Sequence, residues 1–214
     1  MLLAPLAVLP LAGIVALVVW TGSRADVSPL ATAVVAVTTL ALGSRAFHLD
    51  GLADTADGLT ASYDRERSLA VMRTGAAGPA GVVAVVLVLG AQTAGLTSLA
   101  VADHGWLTAG VLVCVSRGVL AGLCSRGVPG ARPDGLGATF VGSVARPATA
   151  GVAVVAGAAC WTVASVSGLI GLVAAVLVVA ALTTRAVRRL GGVTGDVYGA
   201  GVEITLATLL VSVS

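Results

Sequence analysis

The chain has 214 residues, of which 57% are hydrophobic and 10% charged, with a net charge of +2 and a mean hydropathy of +1.05. Apolar runs this long and this free of charge exclude a soluble domain. All twelve basic residues are arginines scattered between those runs, a distribution that excludes a nucleic-acid partner. The composition predicts an all-α, polytopic integral membrane bundle, with one membrane domain over residues 1–214.

Residues 2–20 carry no charge and are about one bilayer long at roughly 1.5 Å per residue. With no basic segment before them and no clear cleavage site, they read as a retained first span, bent at Pro5 or Pro10. A turn over 22–29 leads into a second span over 27–44. An acidic motif follows, then Tyr63-Asp64-Arg65-Glu66-Arg67 and an amphipathic stretch to Arg73 that is expected at the membrane interface. Residues 74–102 are uncharged and give a third span from about Gly78-Pro79. Asp103-His104-Gly105 is a short turn, and residues 106–124 form the fourth span. The longest polar loop, 125–146, is rich in Gly, Pro and Arg. Residues 147–184 would be about 57 Å long as one helix against a hydrocarbon core of about 30 Å, so they are expected to turn near Ser165-Val166-Ser167-Gly168 into two spans. The last span, 197–214, carries Glu203. Cys114, Cys124 and Cys160 form no CxxC pair and read as small apolar side chains.

Seven spans can be oriented from charge. Ten of the twelve arginines fall between spans 2 and 3, 4 and 5, or 6 and 7, and Arg117 lies within span four; only Arg24 lies in an opposite loop. By the positive-inside rule those three connections are cytoplasmic, which places the N-terminus inside, the C-terminus outside and the acidic motif at the cytoplasmic face.

That motif is His48-Leu49-Asp50-Gly51-Leu52-Ala53-Asp54-Thr55-Ala56-Asp57-Gly58. Three of the ten acids lie within eight residues, at offsets i, i+4 and i+7. On a helix these side chains fall within roughly 60° of one another. Like charges so close call for a cation among them. Hard divalent ions prefer oxygen ligands, and Mg2+ uses a few carboxylates together with water and substrate phosphates. The competing reading is a solvated, acidic helix end.

A second constellation is Gly191-Gly192-Val193-Thr194-Gly195-Asp196-Val197-Tyr198-Gly199-Ala200-Gly201-Val202-Glu203. Asp196 and Glu203 share a helical face, and glycines every fourth residue allow close approach of a helix or ligand. An acid within a span is a functional candidate by default. Arg117, inside span four, suits either a pairing with Glu203 or a phosphate clamp. His48 adjoins the acids as a base, a phosphate donor or a supporting residue. Arg126, Arg132 and Arg146 read as topological charges, although the loop holding Asp134-Gly135-Leu136-Gly137 could close over a substrate. Taken together, facing acids and nearby arginines point to metal-assisted phosphoryl transfer.

The run from Arg45 to Gly58 resembles the signature of the cobalamin (5′-phosphate) synthase family, the adenosylcobinamide-GDP ribazoletransferases. The resemblance recurs in Val115-Ser116-Arg117-Gly118, in the loop from Asp134 to Phe140, and in Gly191 to Asp196 with Gly199, Ala200 and Glu203, so it covers nearly the whole chain in one order. It implies attack of a hydroxyl of α-ribazole or its 5′-phosphate on the cobinamide-bound phosphorus of adenosylcobinamide-GDP, with loss of GMP and a requirement for Mg2+, in a multi-pass membrane enzyme with a cytoplasmic active site. By the same resemblance Asp50, Asp54, Asp57 and Asp196 are metal ligands, and Asp57, Asp196, Glu203 and His48 are catalytic. Arg117, Arg45, Gly51, Gly58 and Gly195 bind substrate. The lipid bilayer is the surrounding partner, and a homo-oligomer is allowed. The chain departs from the family pattern at Thr74 and Ala76, where an acid or other polar group is usual, and at Leu206, where a second Glu is common; it also starts directly at span one. A CDP-alcohol phosphotransferase would need an Ala-Arg pair after Asp50-Gly51, which is absent. A transporter would spread its ionisable groups through the membrane, whereas these gather at one face.

Overall fold

The computed structural model describes residues 1–135 and 137–214; Leu136, within the Asp134–Gly137 loop motif, lies outside the described residues. The chain is helical, in the order α1 (Ala4–Ala7), α2 (Leu9–Arg24), α3 (Pro29–Gly43), α4 (Phe47–Ala61), α5 (Arg65–Val71), α6 (Pro79–Leu99), α7 (Gly105–Arg117), α8 (Val119–Leu123), α9 (Arg146–Leu190) and α10 (Gly195–Ser212). Pro5, Pro10, Pro29, Pro79 and Pro147 all fall in first turns. There the missing N–H costs nothing. Pro10 therefore starts α2 after a break at Val8 and does not bend a longer helix.

Helix α9 contains 45 residues, but Ser165 has φ 48 and ψ −128. A Cβ on Gly168 would lie 2.6 Å from the Cys160 carbonyl, and one on Gly157 would lie 3.8 Å from Leu172. In a straight helix the latter pair would be about 22 Å apart. The chain thus reverses at Ser165 into two antiparallel arms, 146–164 and 166–190, at the position expected from length alone.

Helix α10 is the central element. It touches α4, α6, α7, α8 and α9, and its buried positions include both polar and apolar ones. Its small residues permit this. A Cβ on Gly199 would sit 3.0 Å from the His48 Cα, and one on Gly51 would sit 2.8 Å from the Asp196 carbonyl, so α4 and α10 meet backbone to backbone.

Among the described residues, three helices or helix pairs are long and apolar enough to cross a membrane: α6, α7 with α8, and α9; α3 and α4 together make a fourth, bent by 86°. Outward stripes such as Val83, Val86 and Leu87 on α6, and Ile170, Val173 and Leu177 on α9, are exposed, as lipid contact requires.

The bent pair corrects one expectation. Helix α3 ends at Gly43, where the second span is expected to end, but its 15 residues are too few to cross alone and only α3 with α4 is long enough. Thr32 packs on Gly22 at one end of α2, and Gly43 packs on Leu11 near the other, so α3, 15 residues or about 22 Å long, lies alongside α2. Arg45 and Ala46 then both take left-handed φ values, 54° and 56°, and α4 leaves in a new direction. The acidic helix follows the bend, and its His48 end packs against Gly199 of α10.

The arginine-rich connections converge at one end. Arg65 donates to the Leu190 and Ala131 carbonyls at 2.8 Å each, Arg189 donates to Ser62 and stacks over Tyr63, and Arg132 donates to Leu69 at 2.9 Å. The stretch expected at the interface is therefore a short helix bound to the protein. Residues 125–146 are pinned by paired bonds between Pro129–Ala131 and Val193, where Gly192 comes so close to Pro129 that a side chain has no room. Trp20, Arg24, Asp26 and the α6–α7 turn share a pocket at the opposite end.

Candidate active site

The four aspartates of the two motifs do different work. Asp57 is buried and accepts from the Gly78 N–H at 2.6 Å and the Gly81 N–H at 2.8 Å. It caps α6 from another helix, where the first-turn donors and the positive end of the helix dipole favour a carboxylate. Each of its oxygens accepts one backbone N–H. Asp54 is half-buried one turn earlier and lies in the fields of Asp50, Asp196, Asp57 and Arg132. Asp50 is exposed. Asp196 stands in the first turn of α10 and holds one oxygen 3.1 Å from the Thr194 hydroxyl, which also caps the helix by accepting from the Val197 N–H.

Arg132 is half-buried beside this group, and among the described residues its Nε has no partner. Burial pushes its guanidinium pKa down and Arg73 adds to this, while Asp196, Asp134 and Asp54 offset both. Arg73 in turn forms an exposed pair with Asp134 at 3.0 Å, tying the loop of residues 134–140 to the segment after α5. Gly137 packs on Gly195, so this loop covers the start of α10. The rim of the bundle therefore presents acids, two arginines and a helix N-terminus in one place, a combination suited to a bound metal and a phosphate chain.

Among the described residues, no three His, Cys, Asp or Glu side chains converge tightly enough to hold a metal ion alone. Separate carboxylates fit Mg2+ as part of a shell, because that ion retains waters and takes oxygens from substrate phosphates.

Deeper in the bundle lies a second polar group. Glu203 is buried and accepts from the Gln92 Nε2 at 2.7 Å; its other oxygen is 3.5 Å from the His48 Nδ1, without the alignment of a hydrogen bond. Arg117 is buried in the field of Glu203, but it donates to Ser116 Oγ at 2.8 Å and the Val113 carbonyl at 3.3 Å, with no carboxylate within 4.0 Å among the described residues. Of the two readings open for Arg117, the direct pairing with Glu203 is not made. A charge-assisted network in so apolar a setting is costly to assemble and constrains the three helices that share it.

Residues 1–214 match the family model described as cobalamin-5-phosphate synthase. The chain belongs to the cobalamin-5-phosphate synthase family. It is 51% identical over 212 residues to an adenosylcobinamide-GDP ribazoletransferase of a Nocardioides species, covering 99% of this chain and 85% of that one. Proteins of the same name from Frankia casuarinae and Bradyrhizobium diazoefficiens are 39% and 38% identical over 89% and 90% of the chain, covering 73% and 75% of theirs. No solved structure matches.

Within this family member the structure separates the expected site residues. Asp50, Asp54 and Asp196 gather at the rim, and Glu203 and His48 meet in the interior. Gly51 and Gly58 are buried against Asp196 and Met72, and their missing side chains make room for protein, not for substrate. Gly195 is exposed at the rim with Gly137 packed against it, while Arg45 is exposed at the α3–α4 bend. Arg132 and Gln92 were not among the expected site residues. Gln92 is the only side-chain amide in the sequence and sits in an apolar run, a signal that marks it. Arg132 carries no such mark, since a loop arginine also serves topology.

Proposed function

We propose that this chain joins adenosylcobinamide-GDP to α-ribazole, or to its 5′-phosphate, at the arginine-rich rim. The acceptor hydroxyl attacks the phosphorus that carries cobinamide; a new P–O bond forms as the P–O bond to GMP breaks, and the proton passes to the free oxygen of Asp196. Asp50 and Asp54 would hold Mg2+, which supplies charge neutralisation at the pyrophosphate when bound. Arg132 and the N–H groups at the start of α10 hold phosphate oxygens, and the loop from Asp134 limits water around them. Glu203, Gln92 and His48 fix α4 against α6 and α10, so that the acids face Asp196 across a constant gap. The observation that carries this reading is the meeting of Asp54, Asp196 and Arg132 at one helix N-terminus.

The broken span, the two arms of α9 and α10 together support seven crossings, with the arginine end in the cytoplasm. The test is the purified chain with adenosylcobinamide-GDP, α-ribazole and Mg2+, followed for GMP and for the corrinoid product. Equal amounts of both are expected, only with all three additions. GMP release without acceptor, or none at all, overturns the assignment.

A further inference from the structure

Between α7–α8 and the two arms of α9 lies a cleft of about 640 Å³. Val119 and Leu123 form one wall, Val152 and Ala153 the second, and Val176 and Val179 the third. The hydroxyls of Thr149 and Thr183, which also border it, are spent on the Ala121 and Val179 carbonyls. Neither Asp50, Asp54, Asp196 nor Arg132 reaches it. The cleft is thus apart from the rim site.

The mouth of the cleft differs in character. Arg188 borders it, and Gly127 borders it with the Arg146 guanidinium so close that a Cβ on Gly127 would stand 2.8 Å from Nη2. Arg146 donates from Nε to the Arg126 carbonyl at 3.1 Å. Among the described residues neither Arg146 nor Arg188 has a carboxylate within 4.0 Å. An aliphatic slot at membrane depth offers water too few partners, whereas a hydrocarbon chain fills it without loss. Two uncompensated guanidinia at its cytoplasmic end suit a phosphodiester.

We propose that this cleft binds one anionic glycerophospholipid, with an acyl chain between the arms of α9 and the headgroup phosphate between Arg146 and Arg188. The ligand's negative charge supplies what those arginines lack, and the chain supports two arms that otherwise face each other across a gap.

Native mass spectrometry of the full chain, after exchange into detergent with phosphatidylglycerol or phosphatidylcholine, tests this. One phosphatidylglycerol per chain should be retained, roughly tenfold or more in preference to phosphatidylcholine. Ala153→Phe with Ala180→Phe, which fills the slot, should retain neither lipid. Arg146→Gln with Arg188→Gln should bind both lipids alike, and this pair decides the matter if the phenylalanine variants fail to fold. Equal retention of the two lipids by the unmodified chain, or unchanged retention by the arginine variants, overturns the proposal. So does displacement of the lipid by inorganic phosphate, which would make the mouth a free-phosphate site, or by adenosylcobinamide-GDP, which would make the cleft part of the substrate site.

Discussion

Gln92 on α6 donates to the buried carboxylate of Glu203 on α10 at 2.7 Å, a contact between two polar side chains enclosed by apolar helices. Gln92→Leu should therefore destabilise the protein by about 1–3 kcal/mol, the cost of leaving a buried acceptor short of its donor. The measurement is the unfolding midpoint in detergent. In a Glu203→Gln background the same change should cost less, because the stranded charge is already gone. Strict additivity of the two changes would show that the contact carries no energy of its own.

Asp57 and Asp54, three residues apart on α4, should respond in opposite ways. Asp57→Asn keeps one acceptor for the start of α6 but loses charge, and should lower stability by about 1–2 kcal/mol while leaving the Mg2+ dependence of the active fraction unchanged. Asp54→Asn should fold as well as the unmodified chain, since it relieves like-charge crowding, yet lose about 10²–10³ in the rate of GMP release. Unfolding curves and initial rates across a Mg2+ series separate the two. A lost Mg2+ response in Asp57→Asn with stability intact would reverse the roles assigned here.

The sequence disclosed those features that rest on local composition. Hydropathy alone located the apolar helices, and length alone required the reversal found at Ser165. Glycines at 195 and 199 announced a close helix contact, and Gly199 makes one. The end of the second span near Ser44 was legible, but the 86° bend after it was not, because neither Gly nor Pro occupies Ser44 to Ala46, where Arg45 and Ala46 nevertheless take left-handed φ values. Nor could the sequence say what Asp57 does: its partners are backbone groups 21 and 24 residues away. Helical spacing put it on one face with Asp50 and Asp54, and the fold then turned that end of the face onto α6.

Gly199→Ala tests the contact that sets the spacing of α4 and α10. The added Cβ would meet the His48 Cα at 3.0 Å and its carbonyl at 3.1 Å, both backbone atoms that cannot rotate away. Overpacking of this kind costs about 1–3 kcal/mol. It also pushes the two acid-bearing helices apart, so activity should fall by more than the loss of folded protein explains. Activity normalised to folded fraction is the readout, and a variant with full specific activity would show that the spacing of Asp54 and Asp196 has slack.

Arg132 distinguishes phosphate binding from topology. Its Nη2 bonds the Leu69 carbonyl and, among the described residues, its buried Nε is free, so part of the guanidinium remains available at the rim among Asp54, Asp134 and Asp196. A charge that serves only to hold this loop in the cytoplasm would be replaced by lysine without effect, because lysine keeps the charge. A phosphate ligand would not, because the planar fork is lost. Arg132→Lys is expected to raise KM for adenosylcobinamide-GDP about tenfold, equivalent to about 1.4 kcal/mol, with KM for α-ribazole unchanged. Arg132→Gln, which removes the charge as well, should cost about tenfold more in kcat/KM for the same substrate. Equal increases in KM for both substrates would instead trace the effect to a loosened loop at Leu69, and no change in the lysine variant would return Arg132 to the topological role.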